Sequence, residues 1–118
     1  MEINEHHEED VVVFKISGRL DSNTSQEFDR RIFEAIDQGS RRLVVDCEKL
    51  DYITSAGLRV LNKTAKRLRK ENGGIVLCAM VDYVREVFEI AGFDTFLPIV
   101  DTLDNAVVKV RLPQAGGA

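Results

Sequence analysis

A chain of 118 residues, 44% hydrophobic and 31% charged, is long enough for one domain with a single two-layer core and no covalent staples. Its formal net charge of −4 argues against a nucleic-acid binder, which normally carries a basic domain. The longest apolar run, residues 75–81, is too short to span a bilayer, and the acidic N-terminus lacks the basic-then-apolar pattern of a secretion signal. A cytoplasmic location with no membrane association is the default expectation.

Residues 2–7 are a weak candidate for a hairpin partner, turning through Glu8-Glu9-Asp10 into the β-branched strand 11–16, which Gly18 bounds. Residues 24–38 read as a helix: Thr24 with Glu27 fits a capping box, Phe28, Ile32, Ala35 and Ile36 share one face, and Gly39 stops it. A second core strand spans 42–47. A long helix follows over about residues 56–72, with Leu58, Leu61, Ala65 and Leu68 on one side and Gly73-Gly74 ending it. Residues 75–80 form a third core strand, Asp82 caps a helix that Gly92 closes, and 96–100 suit a short edge strand that tolerates Pro98. Asp101 or Thr102 caps a last helix to about Val110, and 113–118 read as a frayed, disordered tail. Alternation of this kind predicts βαβ units: an α/β domain over residues 1–112, with a mostly parallel mixed sheet of four to five strands packed with about four helices.

Catalytic chemistry is sparse. The only histidines, His6 and His7, are adjacent and near the terminus; they suit a solvated strand better than a Ser–His dyad or a metal site. Thr54-Ser55-Ala56-Gly57 lacks the first glycine of a G-x-S-x-G elbow, and neither common phosphate-cradling glycine loop is present. Cys47 and Cys78 lie in apolar strands and read as buried free thiols.

The informative stretch is residues 50–61, which sets Thr54, Ser55 and Gly57 between a strand and an apolar-periodic helix. A hydroxyl there meets backbone N–H groups without intrahelical partners and a dipole that favours an anion. Ser55 as a simple N-cap and Ser55 as a modification site both fit the pattern. Asp21 and Asp46 suit turns or strand ends that bind backbone N–H groups. They also suit the C-terminal strand edge where open α/β sheets place their sites, which would bring three loops to one rim. The cations after Ser55, from Arg59 to Lys70, fit a solvated helix face or a docking face for an acidic partner.

The order of elements, with Gly18-Arg19-Leu20-Asp21, Leu43-Val44-Val45-Asp46 and Tyr52-Ile53-Thr54-Ser55-Ala56-Gly57-Leu58, resembles the STAS domain. More narrowly it is similar to the bacterial anti-sigma factor antagonists, over about residues 11–110. The resemblance implies a non-enzymatic regulator without cofactor or metal, a monomer or weak dimer. An ATPase-type serine kinase that is also the anti-sigma factor would bind the unmodified protein and release it once Ser55 is phosphorylated. A metal-dependent serine phosphatase would reverse the modification. Asp21, Ser22, Asn23 and Thr24, with Thr54, Ser55, Ala56, Gly57, Leu58 and Arg59, would form the partner-binding surface. Many family members carry Asp where this chain has Thr54, which makes Thr54 an alternative acceptor; Arg59 stands where small residues are frequent. Related domains act as unphosphorylated scaffolds or small-ligand sensors, which is the alternative function.

Overall fold

The computed structural model describes residues 1–112. The tail expected over 113–118 lies outside the described residues. In chain order the elements are β1 (Glu2–Glu8), β2 (Val11–Leu20), α1 (Thr24–Asp37), β3 (Arg42–Ile53), α2 (Ser55–Lys70), β4 (Gly74–Cys78), α3 (Asp82–Ile90), β5 (Ile99–Val100) and α4 (Leu103–Arg111). A single 3-10 turn at Phe93–Thr95 precedes β5 and leaves that edge strand shorter than its sequence suggests.

The described strands form one five-stranded sheet in the order β1-β2-β3-β4-β5. Only β1 runs antiparallel to its neighbour: Glu8 faces Val11 across the Glu9-Asp10 turn, where Glu9 takes a left-handed φ of 57°. The remaining pairs are parallel, as expected of βαβ units. Alternation along the strands splits the core. Val12, Phe14, Leu43, Val45, Ile75 and Leu77 pack on one face with α1, α2 and α3, while Val11, Val13, Val44 and Val76 pack on the other with α4. Cys47 and Cys78 are buried free thiols on opposite faces, and burial raises both, Cys78 to about 12. They stay protonated and inert near neutral pH.

Two strands overrun their expected ends. β2 continues through Gly18, whose φ of 96° suits glycine, as far as Leu20. β3 continues to Ile53 because its register against β2 slips twice, between Lys15 and Ser17 and between Gly18 and Arg19. Each slip places an extra residue on β3, so Cys47, Leu50 and Ile53 all face the core at a spacing of three rather than two. Asp46 is therefore a mid-strand residue paired with Lys15 and Cys78, not a strand-end residue. Since β4 stops opposite Asp46 and β1 reaches only Ser17, residues 50–53 and 18–20 project beyond both as a two-stranded ribbon.

Helix ends follow local chemistry. Gly39, at φ 107°, closes α1 as expected: its N–H reaches the Ile36 carbonyl, and that of Ser40 reaches Ala35. α2 ends two residues early. Asn72 rather than Gly73 takes the left-handed turn at φ 62°, and the Gly73 N–H returns to the Leu68 carbonyl. Gly73 is needed for space instead, since a Cβ there would lie 2.2 Å from the Arg41 carbonyl oxygen. Val81, not Asp82, precedes the first turn of α3, and Thr102 caps α4 by accepting the Asn105 N–H.

Candidate functional site

The ribbon of β2 and β3 ends where α1 and α2 begin, with Leu20 opposite Ile53. One atom ties the two junctions together. The Leu20 carbonyl oxygen accepts the Thr54 backbone N–H at 3.0 Å and the Thr54 hydroxyl at 3.2 Å. Gly57 makes the approach tight, because a Cβ would fall 2.8 Å from Leu20 and 2.9 Å from Ile53 side-chain atoms.

The two helix starts are treated differently. At α1, Asp21 supplies the cap: its carboxylate accepts the N–H groups of Asn23 and Thr24, both at 3.0 Å, and its carbonyl accepts that of Ser25. The Thr24 hydroxyl accepts the Asp21 N–H at 2.9 Å and donates to the Arg19 carbonyl at 2.7 Å. Thr24 is thus the first residue of the helix rather than the cap, and Glu27 pairs with Arg30 instead of closing a capping box. These bonds, led by the Thr24 backbone N–H, hold the Asp21 carboxyl below its ordinary pKa against the upward push of desolvation.

At α2 no side chain caps. Thr54 is the N-cap residue, with extended backbone, but its hydroxyl is turned to Leu20. Its carbonyl accepts the Leu58 N–H, which leaves the N–H groups of Ser55, Ala56 and Gly57 without an acceptor among the described residues. Ser55 is the first helical residue, not the cap, and its exposed side chain makes no hydrogen bond among the described residues. A free hydroxyl thus sits on three open donors at the positive end of a sixteen-residue helix.

Of the expected partner-binding residues, Asp21, Ser22, Asn23 and Thr24 share this rim with Thr54, Ser55 and Ala56. Ser22, Asn23 and Arg59 are exposed, and Arg59 lies one turn along from Ser55. Gly57 and Leu58, also expected on that surface, are buried and shape the helix start from beneath. Asp46 is absent from the rim, because β3 runs on past it to Ile53 and its carboxylate binds the Glu48 N–H. So two loops meet there, not three. Sequence reading also missed Arg19 and Tyr52, whose guanidinium carbon and ring centroid are 4.4 Å apart beside Thr54. Knowing that β2 and β3 continue as a ribbon would have paired them. Among the described residues, no group of three or more side chains could hold a metal, and no helix is long and apolar enough to cross a membrane.

Comparison with known proteins agrees with this architecture. The STAS domain family matches residues 2–106. BtrV of Bordetella bronchiseptica, a candidate anti-sigma factor antagonist, is 38% identical over 106 residues, covering 88% of this chain and 91% of BtrV. The crystal structure of an anti-sigma factor antagonist from Mycobacterium paratuberculosis superposes with a TM-score of 0.85 at 26% identity over 94% of each chain. The phosphorylated form of the Bacillus cell fate determinant SpoIIAA shares the fold, with a TM-score of 0.74 and 23% identity over 93% of this chain and 100% of its own. The chain belongs to the STAS domain family.

Proposed function

We propose that this protein is an anti-sigma factor antagonist that works by partner switching. Unmodified, it binds an anti-sigma factor that is also an ATPase-type serine kinase; phosphorylated on Ser55, it is released, and a metal-dependent serine phosphatase resets it. It is a regulator rather than an enzyme, and a cytoplasmic one. The names of BtrV and of the Mycobacterium paratuberculosis protein support the antagonist role.

One observation carries the assignment to Ser55: its hydroxyl is exposed and has no hydrogen bond among the described residues, while that of Thr54 is committed to Leu20. A kinase can reach the first without breaking anything, whereas using the second would cost a hydrogen bond that joins the two loops. The phosphate adds about −1.5 to −2 charges beside three open N–H groups, so the fold tolerates it. A partner docked over the rim meets new charge and bulk, and no large conformational change is required.

Incubation with the kinase and ATP, followed by peptide mass spectrometry, is the test. One phosphate on Ser55 is expected; phosphate on Thr54 instead, or none, would contradict the assignment.

A further inference from the structure

Many cations of this protein are held by carboxylates. Arg30 lies between Glu27 and Glu34, Arg67 between Asp37 and Glu71, and Arg111 between Glu9 and Asp10. Lys63 of α2 holds Asp29 at 2.9 Å. Arg59, Lys66, Arg69 and Lys70 are also on α2, are exposed, and have no carboxylate in ion-pair range among the described residues. At helical spacing these four fall with Ser55 on one face, which also carries the half-buried Asn62. The face runs the length of the helix, about 24 Å at 1.5 Å per residue. The acids flanking it, Asp29, Asp37 and Glu71, are taken up by Lys63, Arg67 and Arg41 and leave the row uncompensated. A chain with a formal net charge of −4 thus keeps, among the described residues, a single file of four positive charges without an ion pair, with Ser55 at its head.

We infer that this outer face of α2 is a docking strip for an acidic protein surface, carried by the kinase, and that Lys66, Arg69 and Lys70 extend the contact well beyond the Ser55 rim. The inference rests on the partner-switching reading for the identity of the partner. Charge complementarity selects a protein over a nucleic acid: four cations in one row on a net-negative domain do not make the basic footprint that a phosphate backbone needs. A row of carboxylates on a folded surface matches the strip, steers encounter and fixes the register. Phosphate on Ser55 then acts twice. It offsets up to about half of the strip's charge and faces the partner's carboxylates with one of its own kind.

The test compares the intact protein with Lys66→Glu/Lys70→Glu and Lys66→Gln/Lys70→Gln variants for binding to the purified kinase. Affinities are measured at about 50 mM and about 500 mM salt, where screening differs strongly. The charge-reversed variant should bind at least about tenfold more weakly at low salt, chiefly through a slower association rate, with a smaller difference at high salt. The glutamine variant should fall between, which separates charge from any folding defect in the reversed protein. Unchanged affinity in both variants, with Ser55 still phosphorylated, would overturn the strip. So would a wild-type protein that binds duplex DNA or phosphatidylserine vesicles through Lys66 and Lys70 while its kinase binding ignores them. Kinase binding that depends on Lys66 and Lys70 without any phosphate on Ser55 would support the strip and refute the phosphorylation reading instead.

Discussion

Thr54 gives both its backbone N–H and its hydroxyl to one acceptor, the carbonyl oxygen of Leu20. This joins the end of β2 to the start of α2, and it separates the roles of two adjacent hydroxyl residues. Thr54 holds the rim together, and Ser55 is left available on it. Replacing Thr54 by Val should cost about 0.5–1.5 kcal/mol in urea unfolding, the usual worth of one hydrogen bond. The same variant should still accept one phosphate, on Ser55, by mass spectrometry.

Gly57 and Gly73 are required for space, to different degrees. An alanine methyl at residue 57 meets Leu20 and Ile53 side chains, both buried, so Gly57→Ala should destabilise by about 1–3 kcal/mol as an overpacked core site. At residue 73 the obstacle is the Arg41 backbone itself, 2.2 Å away, and side-chain rearrangement cannot relieve it. Gly73→Ala should therefore lower the melting temperature more than Gly57→Ala does. The opposite order would show that the two neighbours yield differently from their packing.

Ala79 follows β4 with a φ of 59°, a left-handed conformation that costs an alanine roughly 1–2 kcal/mol. Glycine removes that cost but loses more backbone entropy on folding. Ala79→Gly should raise stability by about 0.5–1 kcal/mol in chemical denaturation.

The Asp21 carboxylate caps α1 and titrates below its ordinary value of 3.8. The unfolded chain therefore takes up its proton at a higher pH than the folded protein does. The cap's contribution is complete above the unfolded value and is lost as the pH falls through the folded one. Melting temperatures from about pH 5 down to about pH 2 should fall more steeply for the wild type than for Asp21→Asn, whose side chain does not titrate there.

Much of this was legible in the chain itself, for identifiable reasons. Near-continuous β-branched runs gave away the central strands, and Gly39 sat where a left-handed helix end needs it. The misses share a cause, since they lie where tertiary contacts override local pattern. Two slips of register turned the period of β3 from two to three, so Leu50 and Ile53 did not look like strand residues and Asp46 looked like an end. A serine beside a threonine at a helix start is ambiguous in sequence. The choice of Thr54 as the cap residue was made by the Leu20 carbonyl, which is 34 residues away in the chain. Asp21 took over the cap of α1 from Thr24 because the Arg19 carbonyl claimed the threonine hydroxyl.

Ser55→Asp places a carboxylate on the first turn of α2, next to three open N–H groups, and should leave stability within about 1 kcal/mol of the wild type or slightly above it. A large loss of stability would mean that Ser55 serves the fold rather than a switch.

Titration of the anti-sigma factor kinase with the unmodified protein and with protein phosphorylated only on Ser55 tests the central claim most directly. Tight binding of the unmodified form and at least about a hundredfold weaker binding of the phosphorylated form, about 2.7 kcal/mol, is the expected result. Equal affinity for the two forms would contradict the switch.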